Sequence, residues 1–165
     1  MGNRSTLINK ATPDYQISDI GSGSLAAKNS IAVFWPSLFD REDLHYMDYL
    51  DEQSRQSFRI PHLSTPVPQA LHRWQTRKRS FSSVSAVGLS AMSQFDSTLA
   101  SMTKPYLIMD TWEIWTLSDE GLETFLLESI EQSAKGDLSA LMEQAQIREG
   151  NEHLYQYTGF PWNPL

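Results

Sequence analysis

Four histidines, His45, His62, His72 and His153, are the side chains of this sequence best suited to moving protons or holding a metal. No two of them fall at H-x-x-x-H or H-E-x-x-H spacing, so the chain carries no local zinc signature. With no cysteine among 165 residues, thiol catalysis, iron–sulfur clusters, disulfide frameworks and cysteine-based zinc sites are excluded. His45 and Asp48 are three residues apart. On a helix that spacing lets a carboxylate orient an imidazole for acid–base work, and it equally makes an ordinary surface hydrogen bond. Gly21-x-Gly23-x-x-Ala26, with Asp40 roughly 20 residues on, has the outline of a dinucleotide fingerprint. The context fails, because no apolar strand precedes Gly21 and the helix that should follow is interrupted at Trp35-Pro36; the stretch reads as a flexible Gly/Ser loop. There is no G-x-S-x-G and no P-loop. The sequence thus advertises no cofactor and no metal, and an enzyme built on it would use dispersed groups such as His45 with Asp48 or Glu113.

Charge is the next signal. The net charge is −7, and its distribution is uneven. Residues 1–103 carry ten Lys/Arg against nine Asp/Glu, whereas residues 104–165 carry three against eleven, an excess of −8. Such an asymmetry repels phosphate backbones and draws in basic surfaces, so the later part of the chain suits a cationic protein better than a nucleic acid. A solvated acidic surface that only keeps the protein in solution is the plain alternative. The one basic run, Arg77-Lys78-Arg79, reads as a solvated helix end, or as a partner, with Arg73, for the acidic C-terminal helices. No run approaches the roughly 20 apolar residues that span a bilayer, and the first 24 residues hold no apolar signal core; a cytoplasmic protein without membrane contact is expected.

The elements that position these residues follow from periodicity and punctuation. Arg4 to Asn9 reads as a first strand, ended by the Ala11-Thr12-Pro13-Asp14 turn, with a loop from Tyr15 to Lys28. The apolar run Ile31-Ala32-Val33-Phe34-Trp35 is expected inside, with Pro36 starting or kinking a helix. Asp40 and Asp43 predict a cap for a helix over 41–54, with Leu44, Met47 and Leu50 inward and Asp48, Asp51 and Glu52 outward. Ile60-Pro61 marks a boundary, and Thr65-Pro66 opens a helix through Val67, Leu71 and Trp74. Phe81, Val84, Gly88, Met92, Phe95, Leu99 and Met102 recur every three or four residues, predicting a helix whose opposite, serine-rich face is also covered. Tyr106 to Leu117 is dense in β-branched and aromatic residues and reads as one long strand or two joined strands. Ser118-Asp119 predicts the cap of a helix over 119–134, closed by Gly136, and Asp137 caps a last helix to Ile147. The aromatic tail from Tyr155 packs on the body. The sum is one α+β domain over 1–165, five or six helices against a small, mostly antiparallel sheet.

Within the helix after Ser118, Leu127 stands at the edge of the apolar stripe with Glu120, Glu123 and Glu131 around it. An apolar residue ringed by carboxylates is the pattern of an interface anchor with an electrostatic rim. Asp119, Glu120, Glu123, Leu127 and Glu131 are therefore the expected partner contacts, with Asp48, Asp51 and Glu52 as a second acidic patch.

The opening Asn3-Arg4-Ser5-Thr6-Leu7, followed by the run from Ile31 to Phe39, resembles a family of small bacterial proteins that begin Asn-Arg-Ser, an aromatic residue and Leu. Thr6 stands where that family has the aromatic residue, and the likeness covers about a quarter of the chain. Many such proteins look like immunity proteins of polymorphic toxin systems. The resemblance implies a cytosolic antitoxin that binds a cognate toxin with a basic surface and occludes it without chemistry of its own. A small enzyme and a regulatory or adaptor domain are the competing expectations.

Overall fold

The computed structural model describes residues 3–19, 24–115 and 121–162. Six antiparallel strands form one sheet: β1 Arg4–Lys10, β2 Leu25–Lys28, β3 Leu44–Leu50, β4 Ser57–Pro66, β5 Tyr106–Asp110 and β6 Phe160–Pro161. Their order across the sheet is β3-β4-β5-β1-β2-β6, with every pairing antiparallel. The helices are α1 Val67–Arg77, α2 Ala86–Ala100, α3 Trp112–Trp115, α4 Leu122–Lys135, α5 Leu138–Gln144 and α6 Leu154–Thr158. The α+β expectation holds.

The expected helix over 41–54 does not form. Asp40 and Asp43 do make a reciprocal capping box, but it serves a single 3₁₀ turn, Arg41–Asp43. From Leu44 the chain becomes β3, in continuous register with β4 from Leu44↔Leu63 to Leu50↔Ser57. Alternation then puts Leu44, Tyr46, Asp48 and Leu50 on one face and His45, Met47 and Tyr49 on the other. Pro61, read as a boundary, lies inside β4. It is tolerated because β5 ends at Asp110, so no ladder amide is missing opposite it, and the Thr111 hydroxyl donates to its carbonyl at 2.8 Å.

The strand expected over Tyr106–Leu117 stops at Asp110. The Asp110 carboxylate accepts the Trp112 amide at 2.8 Å and turns the chain into α3. Residues 116–120 lie outside the described residues, and with them the expected cap at Ser118-Asp119. Gly21 and Gly23 of the fingerprint outline do so too. α4 is closed by Gly136 at φ +74°, as expected, and Asp137 caps α5, which ends at Gln144. α2 buries Gly88, Ala91, Phe95 and Leu99. Ser90, Ser93, Ser97 and Ser101 opposite are exposed, so this helix is covered on one side and not on two. The tail returns through α6 and β6 onto β2.

The molecule's centre is an irregular segment. Residues 31–39 are buried without exception, and Trp35–Leu38 forms a 3₁₀ turn. Phe34 contacts Trp74, Phe95 and Tyr157 at centroid distances of 4.8, 5.8 and 5.2 Å. A buried loop must satisfy its backbone polar groups without a ladder. Here Val33 and Phe34 donate to the α6 carbonyls of Gln156 and Tyr157. Two α1 arginines answer the segment's carbonyls: Arg73 Nη1 reaches that of Leu38 at 3.2 Å, and Arg77 Nη1 those of Pro36, Ser37 and Phe39 at 3.3, 3.4 and 2.5 Å.

Candidate functional site

Arg73 and Arg77 decide where the acidic surface is. The sequence left open that they neutralise the C-terminal helices, and they do not. Arg77 Nη2 binds Asp40 at 2.9 Å, and Arg73 binds Asp43 at 2.5 Å, Asp40 at 3.4 Å and Glu42 at 3.5 Å. Both are thus engaged by the turn after the buried segment. Arg77 is not a solvated helix end: it is 8 % exposed. Lys78 is held by both Asp96 oxygens at 2.9 Å, leaving Arg79 as the exposed member of the basic run.

On α4, Glu123, Leu127 and Glu131 recur every four residues along one line. Both carboxylates are exposed and Leu127 is half-buried, so it closes the edge of the core and still shows apolar surface. Glu131 forms an exposed pair with Lys135 at 2.8 Å. The line faces the β3–β4 hairpin. The Glu123 carboxylate beside the Tyr46 hydroxyl raises the phenol pKa above its ordinary value. Arg59, across from Asp48, stacks over the Tyr46 ring at 4.8 Å and approaches Asp48 at 3.6 Å. The two acidic patches expected from the sequence therefore meet through Tyr46: Glu123, Leu127 and Glu131 from α4, and Asp48 from β3. Asp51 and Glu52 lie in the hairpin turn. The Asp51 carboxylate accepts the Gln53 amide and the Ser54 hydroxyl, which holds its pKa low and shapes the turn. Asp119 and Glu120 lie outside the described residues.

Two contributors escaped the sequence reading. Tyr46 is 37 % and Leu50 58 % exposed, and both project on the α4 side of β3. The helical spacing assigned to 41–54 placed Leu50 inside. The signal that finds them is the pair of aromatic and β-branched runs, Tyr46/Tyr49 and Phe58/Ile60, flanking the polar stretch Asp51–Gln56.

The helical His45–Asp48 pair is dissolved, because three residues along a strand put the two side chains on opposite faces. Glu113 instead accepts the Arg4 amide at 2.7 Å. The histidine side of the hairpin carries a different cluster. Asp110, 4 % exposed, accepts the Tyr15 hydroxyl at 2.5 Å and the Thr6 hydroxyl at 3.3 Å. Burial raises its pKa against these bonds. The Tyr15 ring lies 4.9 Å from His62, itself 4 % exposed, whose Nδ1 has no hydrogen-bond partner among the described residues. Tyr15 belongs to the loop after β1, held down by Lys10 on Asp19 at 2.6 Å and by the Ser64 hydroxyl on the Pro13 carbonyl at 2.8 Å. The cluster is sealed from solvent and reads as a small second core with Ile8, Ile108 and Met47.

Burial lowers the His62 pKa from 6.5 to about 4, with His45 nearby adding to the shift. Between those values the unfolded chain binds a proton that the folded chain refuses. His62 thus adds stability at neutral pH that is lost as pH falls from 6.5 to 4, about 3 kcal/mol at roughly 1.4 kcal/mol per unit. Asp110 acts with the opposite sign, since its raised pKa costs stability as pH rises. Comparison with His62→Leu isolates the histidine. Urea unfolding at pH 7 and pH 4 should show the stability gap between wild type and variant shifting by about 3 kcal/mol in favour of the variant on acidification. A pH-independent gap would refute this.

A surface groove of about 550 Å³ is lined by Ser82, Ser83, Ser139, Met142, Glu143 and Arg148 among others, with no histidine. Among the described residues no three His, Asp or Glu side chains are grouped to hold a metal ion. No helix among them is long and apolar enough to cross a membrane. Comparisons with protein-family models, with curated proteins and with solved structures found no match.

Proposed function

We propose that this chain is an immunity protein, which binds a cognate toxin through the face formed by β3 and α4 and occludes it without chemistry of its own. One observation carries the reading. Two exposed apolar side chains, Tyr46 and Leu50, and the half-buried Leu127 lie beside Glu123, Glu131 and Asp48; the cations paired with Glu131 and Asp48, Lys135 and Arg59, are themselves solvent-exposed, and the α1 arginines are bound to Asp40 and Asp43. Aromatic and aliphatic anchors inside a charged rim are how protein interfaces concentrate affinity, and the sign of the rim selects a basic partner. Asp48 lies on the opposite face of β3 from His45, and Glu113 accepts the Arg4 amide, which favours the binding reading over an acid–base pair of these residues.

The reading is tested by co-expressing the chain with the product of the neighbouring reading frame. Wild type should restore growth to cells poisoned by that product, and Glu123→Lys/Glu131→Lys should fail to do so while unfolding at the wild-type urea midpoint. A toxic neighbour that wild type does not silence would overturn it. Binding to a neighbour that has no toxicity would favour an adaptor instead.

A further inference from the structure

β3 is an edge strand, since the sheet order ends with it, and its backbone polarity can be assigned residue by residue. The Pro61 carbonyl receives the Thr111 hydroxyl, so the backbone polar groups of Pro61 point towards β5 and away from β3. Tyr46↔Pro61 is therefore a non-hydrogen-bonded pair, and the pairs on either side, His45↔His62 and Met47↔Ile60, make the ladder bonds. The Leu44 amide agrees with this phase, because it turns back to the Arg41 carbonyl. By alternation the amides and carbonyls of Tyr46, Asp48 and Leu50 face outward, and no turn, loop or cap hydrogen bond among the described residues uses them. Among the described residues, and apart from the single charge of Asp48, the devices that usually blunt an edge are missing. β3 has no proline, lysine or glycine, and its register against β4 runs unbroken over seven pairs. The opposite edge, β6, is two residues long.

We propose that the partner adds an extended segment to β3 as a seventh, antiparallel strand, with basic side chains alternating with apolar ones. The proposal deepens the immunity reading and rests on it. Side chains directly opposite Tyr46, Asp48 and Leu50 fall on the α4 face, where Asp48, Glu123 and Glu131 favour cations, as the chain's own Arg59 over the Tyr46 ring and beside Asp48 already shows. The alternate side chains fall beside His45, Met47 and Tyr49, an aromatic and apolar strip backed by Trp112 at 4.8 Å from Tyr49. The main chain supplies affinity and the alternation supplies selection, as in other strand-addition complexes.

Geometry names which peptide bonds matter. In such a pairing the basic residues exchange hydrogen bonds with Tyr46, Asp48 and Leu50, and the apolar residues point their amides away. The probe is acetyl-(Lys-Val)4-amide, compared with two isomers N-methylated either at every Lys or at every Val. The expected result is binding that N-methyl-Lys weakens at least tenfold relative to N-methyl-Val, with hydrogen-exchange protection gained at the amides of Tyr46, Asp48 and Leu50. Equal binding of the two isomers overturns strand addition and leaves the charged-face reading standing, because the isomers have equal charge. Unchanged affinity for the parent peptide in Glu123→Lys/Glu131→Lys, with the isomer preference retained, supports strand addition while counting against the charged face. No binding of the parent peptide, or protection of the same amides through self-association of the chain alone, overturns the proposed occupant.

Discussion

Replacing Arg77 by Met should cost about 3–5 kcal/mol of folding stability, the range for breaking one side of a buried, hydrogen-bonded charge. The guanidinium reaches the carbonyls of Pro36, Ser37 and Phe39 and the Asp40 carboxylate together. Methionine fills similar volume but donates nothing, and each buried carbonyl left without a donor costs about 1–3 kcal/mol. The loss is not confined to α1. Those carbonyls belong to the segment that presents Phe34, Trp35, Leu38 and Phe39 to the core, so loosening it also disturbs the Phe34 contacts with Trp74 and Phe95. Arg77→Lys should recover only part of the loss, because an ammonium is a point donor and cannot bridge the carbonyls and Asp40 in the planar manner of a guanidinium. Urea unfolding followed by fluorescence of the five tryptophans measures it. A loss below about 1 kcal/mol for Met would show that the segment holds itself in place without the arginine.

What the sequence made legible depended on whether a local signal and its tertiary use coincided. They coincide in α1, where apolar spacing follows a proline at the helix start, in α4, where apolar spacing and a closing glycine agree, and in β1, where a short apolar run precedes a turn. They part at residues 40–50. The Asp40/Asp43 capping box is real, yet it caps three residues, and the spacing of Leu44, Met47 and Leu50 that mimics a helix spreads over both faces of a strand. Tertiary pairing with β4 overrode the local signal, and Pro61 disguised the partner strand because proline in a strand interior ordinarily argues against pairing. β5 shows the converse. Its β-rich composition continues past Asp110, and a hydrogen bond that the Asp110 carboxylate accepts from the Trp112 amide ends the strand, something composition does not encode.

The candidate face was legible by half for the same reason. Glu123, Leu127 and Glu131 follow from helical periodicity alone. Tyr46 and Leu50 needed the hairpin, and the link from Glu123 to Tyr46 needed the packing of α4 beside it. The fate of Arg73 and Arg77 was equally non-local: their sequence neighbours made them a helix end, and the buried carbonyls some forty residues earlier made Arg77 a core residue.

The second large effect concerns affinity. Reversing Glu123 and Glu131 to Lys removes two negative charges from the face and adds two positive ones, one of them near the Tyr46 hydroxyl. Charge pairs at protein interfaces couple by about 1.5–7 kcal/mol when close, and like charges brought together cost several more. Both side chains are solvent-exposed in the free protein, so folding should be little changed and the effect should fall on binding. Because screening weakens exposed charges, the difference should shrink as salt rises from 50 mM towards 1 M, where the Debye length falls to about 3 Å.

Calorimetric titration of the toxic product of the neighbouring reading frame, with wild-type chain and with Glu123→Lys/Glu131→Lys side by side at low salt, is the most direct measurement. An affinity at least about tenfold weaker for the variant, with the gap closing in high salt, is the expected result. Equal dissociation constants for the two folded proteins would contradict a partner held by the β3–α4 face.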